Sequence, residues 1–178
     1  MYYECMEIGY PLVQFRNEKA LFIVSSAREA EFYLAENGRI EKRDGFKIPK
    51  PRYLDREGFF MKSGHGRVFG SGEVYRDLKL YVENKFLKKL QKKVGDFLKE
   101  KKVEAIYLFA PDYMAGMVLK YLPNKSCDLL KMCVYGNFIR RHPLELVEKI
   151  QRVFGESIGL SVPRKKEAWR ILALRTVK

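Results

Sequence analysis

The stretch REAEFYLAENGRIEKRDGFKI (residues 28–48) is the part of the sequence that best defines the fold. Its two halves flank Asn37-Gly38, and Asn-Gly favours the tight turn of a two-residue β-hairpin because both residues tolerate positive φ angles. ALFIVSS (20–26) precedes this stretch, and a continuous apolar run of that length is typical of a buried strand. Residues 20–48 are therefore predicted to be a run of strands that ends in a β-hairpin.

The second half of the chain shows helices and strands in alternation. A long helix is predicted by an apolar stripe that recurs every three or four residues: Leu78, Val82, Phe86, Leu90, Val94, Phe97 and Leu98. The elements expected after it are a strand at VEAIYLFAP (103–111), a helix at YMAGMVLKYL (113–122), a strand at LLKMCVYG (129–136) and a helix at HPLELVEKIQRVFG (142–155). Such alternation implies parallel pairing, so we expect an α/β fold with a mixed β-sheet flanked by helices.

Length and composition indicate one globular domain over residues 1–178. The chain is long enough to bury a sizeable core, and a hydrophobic fraction of 47% excludes a disordered chain. No apolar run approaches the roughly 20 residues needed to span a bilayer. The N-terminus, MYYECMEIGYP, lacks the charged-then-apolar pattern of a secretory signal. We therefore expect a cytoplasmic protein with no membrane span.

Cysteine and histidine are too scarce to suggest a disulfide framework or a metal centre. The three cysteines, Cys5, Cys127 and Cys133, show no paired spacing, which favours reduced thiols. A metal site built on His65 or His142 would need several supporting carboxylates, and no motif supplies them. We predict neither a metal nor a cofactor.

The net charge is the most informative number in the composition. Thirty-five Lys and Arg residues stand against 22 Asp and Glu, which gives +13 and a pI near 9.6. A field of this sign attracts polyanions such as RNA, DNA or an anionic membrane surface. The alternative is a lysine-rich surface that has no nucleic-acid partner, but its lysines would then be matched by glutamates. The imbalance favours binding to a polyanion.

Two segments concentrate the basic residues. The polar faces of the long helix carry many lysines and few acids, and they are either solvated or in contact with a phosphate backbone. Residues 155–178 form a basic C-terminal extension, whose WRILALRTV stretch could pair as an edge strand. The residues that we expect to contact RNA are Arg67, Lys88, Lys92, Arg164, Lys165 and Lys166.

Residues 49–73 break every periodicity and are expected to form a long mobile loop, longer than the usual connection. The loop includes GHGRVFGSGEV (64–74), whose glycines are Gly64, Gly66, Gly70 and Gly72. A phosphate-binding P-loop would require a lysine followed by Ser or Thr, and that pair is missing. A dinucleotide-binding turn would require a third glycine where Phe69 stands. Neither kind of nucleotide cradle is predicted here.

Other catalytic arrangements find equally little support. His65 lies between Ser63 and Ser71, but neighbours in sequence seldom form a catalytic triad. Two-metal nuclease chemistry needs carboxylates within the sheet, and the apolar strands contribute almost none. Asp112 follows a predicted strand, where open α/β sheets bind ligands, but the simpler reading is a cap for a helix that starts at Tyr113.

Element order and short motifs together resemble one known family. The hairpin, KSGHGR (62–67), the long lysine-rich helix and VEAIYLFAPDY (103–113) resemble the central domain of class-I release factors of archaea and eukaryotes, and of Pelota. In particular, the chain is similar to the bacterial and archaeal release-factor-like family, whose relatives include host-attachment proteins. The resemblance spans residues 20–154. It implies a ribonuclease-H-like sheet and a module that binds RNA or the ribosome, with rRNA or tRNA as partner.

The resemblance also implies that the catalytic step of release factors is lost. Their loop reads approximately HGRGGQ, and its glutamine promotes hydrolysis of peptidyl-tRNA. His65, Gly66 and Arg67 match the first three positions, but Val68 and Phe69 follow, and no glutamine lies in the loop. Two alternatives stay open: a peptidyl-tRNA or related ester hydrolase with a variant loop and His65 as its base, and a protein-interaction domain of the host-attachment type. Enzymatic activity is the less favoured reading.

Overall fold

A computed structural model describes residues 5–49 and 71–157 of the chain. The described elements, in chain order, are β1 (Cys5–Glu7), β2 (Ala20–Ser25), β3 (Glu29–Glu36), β4 (Arg39–Lys47), α1 (Ser71–Glu100), β5 (Ala105–Ala110), α2 (Asp112–Tyr121), α3 (Asn124–Leu129), β6 (Leu130–Tyr135) and α4 (Pro143–Ser157). None of these helices combines the length and the apolar character that crossing a bilayer requires.

Six strands form one mixed sheet in the order β1-β4-β3-β2-β5-β6. The pairs β1/β4, β4/β3 and β3/β2 are antiparallel, whereas β2/β5 and β5/β6 are parallel. Strands β2, β4, β5 and β6 therefore all end at the same edge, here called the carboxyl edge. The predicted α/β class, with a mixed sheet flanked by helices, is confirmed; its ribonuclease-H-like character stays a prediction.

Helices cover both faces of the sheet because the central strands β2 and β5 are apolar on both sides. Helices α1 and α2 pack on one face, here called the α1 face, against side chains such as Leu21, Ile23 and Leu108. Helix α4 packs on the opposite face, the α4 face, against side chains such as Phe22 and Tyr107. Strands β2 and β5 are buried along their whole length, as expected for strands covered on both sides.

The hairpin predicted from Asn-Gly is confirmed. Asn37 and Gly38 have φ angles of 50° and 74°, and Glu36 pairs with Arg39 across the turn. The β3/β4 register shifts once, between Phe32 and Tyr33, where a bulge adds one residue to β4.

Several boundaries differ from the sequence prediction. Strand β1 and helix α3 were not predicted, because three and six residues are too few to show a periodicity. Helix α1 begins at Ser71, so residues 71–73, which were assigned to the loop 49–73, are helical. The apolar stripe starts only at Leu78 and could not mark the earlier turns. Helix α4 continues past Gly155 to Ser157.

Candidate nucleic-acid interface

The rotation of α1 about its axis is fixed by one buried stripe. Val82, Phe86, Leu90 and Val94 are buried against the α1 face of the sheet, as is Phe97. Two aromatic contacts join this stripe to the hairpin: the ring centroids of Phe86 and Phe46 are 5.4 Å apart, and those of Phe97 and Phe32 are 5.2 Å apart. Because the stripe faces the sheet, the opposite side of α1 faces solvent.

```
```

The lysines on the flank of α1 beside β4 take part in the fold. Lys93 Nζ lies 2.5 Å from Oδ2 of Asp44 on β4. Lys89 Nζ lies 4.8 Å from the centroid of the Phe46 ring, a cation–π geometry. Both side chains therefore bind β4, and their charge is partly used within the protein.

The lysines on the opposite side of α1 have a different environment. We call this side the outer face of α1, and it consists of Tyr81, Lys85, Lys88, Lys92 and Lys99. Spacings of four, three, four and seven residues place these side chains on one side of a helix. All five are exposed, and no described carboxylate forms an ion pair with any of the four lysines. The outer face is thus a stripe of uncompensated positive charge.

Among the described residues, no acid of α1 forms an ion pair with this stripe, although Asp96 lies four residues beyond Lys92. Between Tyr81 and Lys99 the helix contains two acids, Glu83 and Asp96, and both are half-buried. Lys85 Nζ lies 5.8 Å from the centroid of the Tyr81 ring, which combines a cation with an aromatic surface at the start of the stripe. Lysines that form no ion pair with a described carboxylate can neutralise phosphates without breaking one.

The structure describes some of the predicted site residues and not others. Lys88 and Lys92 are neighbours on the outer face, as a four-residue spacing requires. Gly72 lies in the first turn of α1. The other predicted residues lie outside the described residues: Gly64, His65, Gly66, Arg67, Gly70, Arg164, Lys165 and Lys166.

The carboxyl edge of β5 and β6 was the other location considered for a ligand. Asp112 was predicted to cap a helix that starts at Tyr113, and this is wrong: α2 starts at Asp112 itself, after Pro111, with no side-chain cap hydrogen bond. The negative charge of Asp112 in the first turn of α2 still interacts favourably with the positive end of the helix dipole. Burial, and secondarily the Asp112 carboxylate, raises the pKa of the Cys133 thiol to about 11, so that this thiol is a poor nucleophile.

The α4 face carries an ionic cluster that the sequence analysis missed. Glu31 is buried within β3, where its carboxylate accepts hydrogen bonds from Tyr33 Oη (3.2 Å), the backbone N–H of Arg140 (3.1 Å) and Lys42 Nζ. Neighbouring Glu29 pairs with Arg140. The acidic residues that alternate along β3 face basic residues of β4, and this pattern was visible in the sequence. It did not indicate that Glu31 would be buried.

This cluster has a structural role. Within the described residues, Tyr33 and Lys42 bind the Glu31 carboxylate from the sheet, and the Arg140 N–H bond holds the segment before α4 against the sheet. Within residues 5–49 and 71–157, no group of His, Cys, Asp and Glu side chains is arranged to hold a metal ion. The outer face of α1 is therefore the best-defined candidate site.

Comparisons with known proteins do not add a family. No family model matches this chain, and a search of functionally characterised proteins finds no match either.

Proposed function

We propose that this chain is an RNA-binding module that contacts the ribosome, rRNA or tRNA through the outer face of α1. The observation that carries the proposal is the division of the α1 lysines. Lys89 and Lys93 bind β4, whereas Lys85, Lys88 and Lys92 are exposed and have no described carboxylate partner. If the lysines of α1 served only to stabilise the helix, Lys85, Lys88 and Lys92 would not be required.

The charge of the whole chain supports the same partner. A net charge of +13 produces a long-range field that attracts a phosphate backbone and accelerates its association. Along the helix axis, Lys88 lies about 4.5 Å beyond Lys85 and Lys92 about 6 Å beyond Lys88, at 1.5 Å per residue. The three charges thus form a row along the helix axis, and one nucleic-acid strand can bind along this row.

The family resemblance narrows the proposal to the translation apparatus. The order of hairpin β3–β4, long helix α1, strand β5 and helix α2 is the order on which that resemblance rests. Release activity is not part of the proposal, because the glutamines of the chain are Gln14, Gln91 and Gln151, and none lies in the loop. A ribosomal partner implies a cytoplasmic protein.

Co-sedimentation with ribosomal subunits tests this proposal. Binding should weaken steeply between about 50 and 200 mM salt, because each neutralised phosphate releases counterions. The variant Lys88→Gln/Lys92→Gln should bind more weakly and lower the slope of log K against log[salt] by roughly 0.7 to 0.9 per lysine.

A matched control separates this site from net charge. Lys125→Gln/Lys131→Gln removes two exposed lysines from α3 and β6 and leaves α1 unchanged. If both double variants weaken binding equally, the RNA is attracted by total charge and the proposed site is wrong. If the wild-type protein neither sediments with subunits nor binds rRNA at low salt, the proposed function is wrong.

A further inference from the structure

Tyr81 is an exposed aromatic residue that shares a helix face with the uncompensated lysines. Its side chain is 62% exposed, although a tyrosine ring is a large apolar surface. Of the other large apolar residues that the described chain exposes, Tyr113 lies in the first turn of α2, Tyr135 ends β6, and Leu80 precedes Tyr81 on α1. Tyr81 is followed on its own face by Lys85 and Lys88, four and seven residues later.

The geometry points to single-stranded RNA as the ligand of this face, with Tyr81 stacked on one of its bases. This inference rests on the proposed function and goes beyond it, because lysines alone cannot distinguish a single strand from a duplex. An aromatic ring can distinguish the two, because the faces of bases in a duplex are covered by neighbouring bases, whereas an unpaired base exposes both faces.

The contacts of Tyr81 fit this role. Lys85 Nζ lies 5.8 Å from the ring centroid, so the cation–π contact holds the ring in place while most of the side chain is open to solvent. The ring and the following lysines then present a stacking surface and phosphate-binding groups along one line. This combination is the one that proteins use to bind single strands without sequence preference.

Fluorescence anisotropy with labelled RNA tests the inference. The probes are a single-stranded 12-nucleotide RNA, a blunt duplex of the same length, and a single strand with abasic positions, in which the sugar–phosphate backbone is intact. We expect the wild-type protein to bind the single strand more tightly than either of the other probes. Tyr81→Ala should lose roughly 5- to 150-fold in affinity for the normal single strand, because base–aromatic stacking is of that size.

The abasic probe distinguishes stacking from any other effect of the substitution. Tyr81→Ala should bind the abasic strand and the duplex about as well as the wild-type protein does, because the phosphate contacts are unchanged. Tyr81→Phe keeps the ring and should retain binding. Tyr113→Ala removes a ring that is 66% exposed on α2, and this matched control should behave as wild type.

The outcomes separate the inference from the proposed function. If Tyr81→Ala binds the single strand as tightly as wild type while Lys88→Gln/Lys92→Gln binds it more weakly, the stacking role is wrong and the RNA-binding face stands. An equal loss on all three probes also overturns stacking. If the wild-type protein binds none of the probes and no ribosomal RNA, the proposed function itself fails.

Discussion

Lys93 Nζ lies 2.5 Å from Oδ2 of Asp44, and this ion pair joins helix α1 to strand β4. Lys92, its neighbour in the sequence, is exposed and belongs to the outer face. Two adjacent lysines thus occupy different environments, one facing the sheet and one facing solvent. Their substitution should consequently change different properties of the protein.

We expect Lys93→Met to lower the free energy of unfolding by about 0.5 to 1 kcal/mol, because the ion pair is partly exposed. Lys92→Met should leave the free energy of unfolding within about 0.5 kcal/mol of wild type, since exposed substitutions usually do. Urea denaturation followed by circular dichroism measures both values. RNA affinity should show the reverse pattern, with the larger loss in Lys92→Met. Equal effects of the two variants in both assays would contradict the division of the α1 lysines.

Glu31 gives a second prediction, because its carboxylate is buried while the Lys42 ammonium is partly exposed. Lys42→Met leaves the carboxylate without its cation and should lower the free energy of unfolding by about 1 to 3 kcal/mol. Glu31→Gln should cost a similar amount. The double variant should cost less than the sum of the two, because it leaves no unpaired buried charge.

Glu29 provides the control for that cycle. It pairs with Lys47 Nζ at 3.3 Å and with Arg140 at 3.5 Å, and these partners are largely exposed. Glu29→Gln should therefore cost less than about 1 kcal/mol. Strict additivity of Glu31→Gln and Lys42→Met in urea denaturation would show that the two groups do not interact.

The hairpin turn is the feature that the sequence predicted most directly. Gly38 has a φ angle of 74°, and a Cβ added there would lie 2.7 Å from Oε1 of Gln14. That amide donates hydrogen bonds to the carbonyls of Ile8 and Leu12, at 2.9 and 2.8 Å. Gly38→Ala should lower the free energy of unfolding by about 1 to 3 kcal/mol, through backbone strain and displacement of the Gln14 side chain.

Asn37→Gly is the control for this position, because glycine also tolerates the positive φ angle of Asn37 and should leave the free energy of unfolding nearly unchanged. Ala35→Gly is a poor control because Ala35 is buried. Thermal unfolding of Gly38→Ala and Asn37→Gly measures the difference. A Gly38→Ala protein as stable as wild type would mean that the turn relaxes to another conformation.

Local patterns predicted the elements that such patterns can encode. The Asn37-Gly38 turn, the apolar run of β2 and the stripe of α1 each depend on neighbours in the sequence. The structure confirms the turn, the run and the part of the stripe from Val82 to Phe97. Burial of Glu31 depends on Arg140, which is 109 residues away, and no local pattern carries that information.

The candidate site was predictable to the same extent. The four-residue spacing of Lys88 and Lys92 places them on one face of α1 from the sequence alone. Which lysines have internal partners was not predictable, because the contact of Lys93 with Asp44 requires the packing of α1 on β4. Tyr81 was missed, because its exposure becomes evident only when Val82 and Phe86 are known to be buried against the sheet.

Alkaline pH should destabilise the protein through its buried tyrosines. Burial, and secondarily the hydrogen bond to Glu18, raises the pKa of Tyr107 above its ordinary value of 10.0. A group that holds its proton more tightly when folded stabilises the protein fully below its unfolded pKa, and that contribution is lost as the pH rises above it. We expect the free energy of unfolding to fall as the pH rises above about 10.

Tyr107→Phe isolates this effect from the titration of the many lysines. The variant loses the 3.0 Å hydrogen bond to Glu18 and should be about 1 kcal/mol less stable than wild type near neutral pH. It has no phenol to ionise, so its stability should decline less steeply above pH 10, and the two curves should converge. Tyr81→Phe, which removes an exposed hydroxyl, should follow the wild-type curve. Urea denaturation at a series of pH values measures the slopes, and parallel curves for Tyr107→Phe and wild type would show that ionisation of Tyr107 does not drive alkaline unfolding.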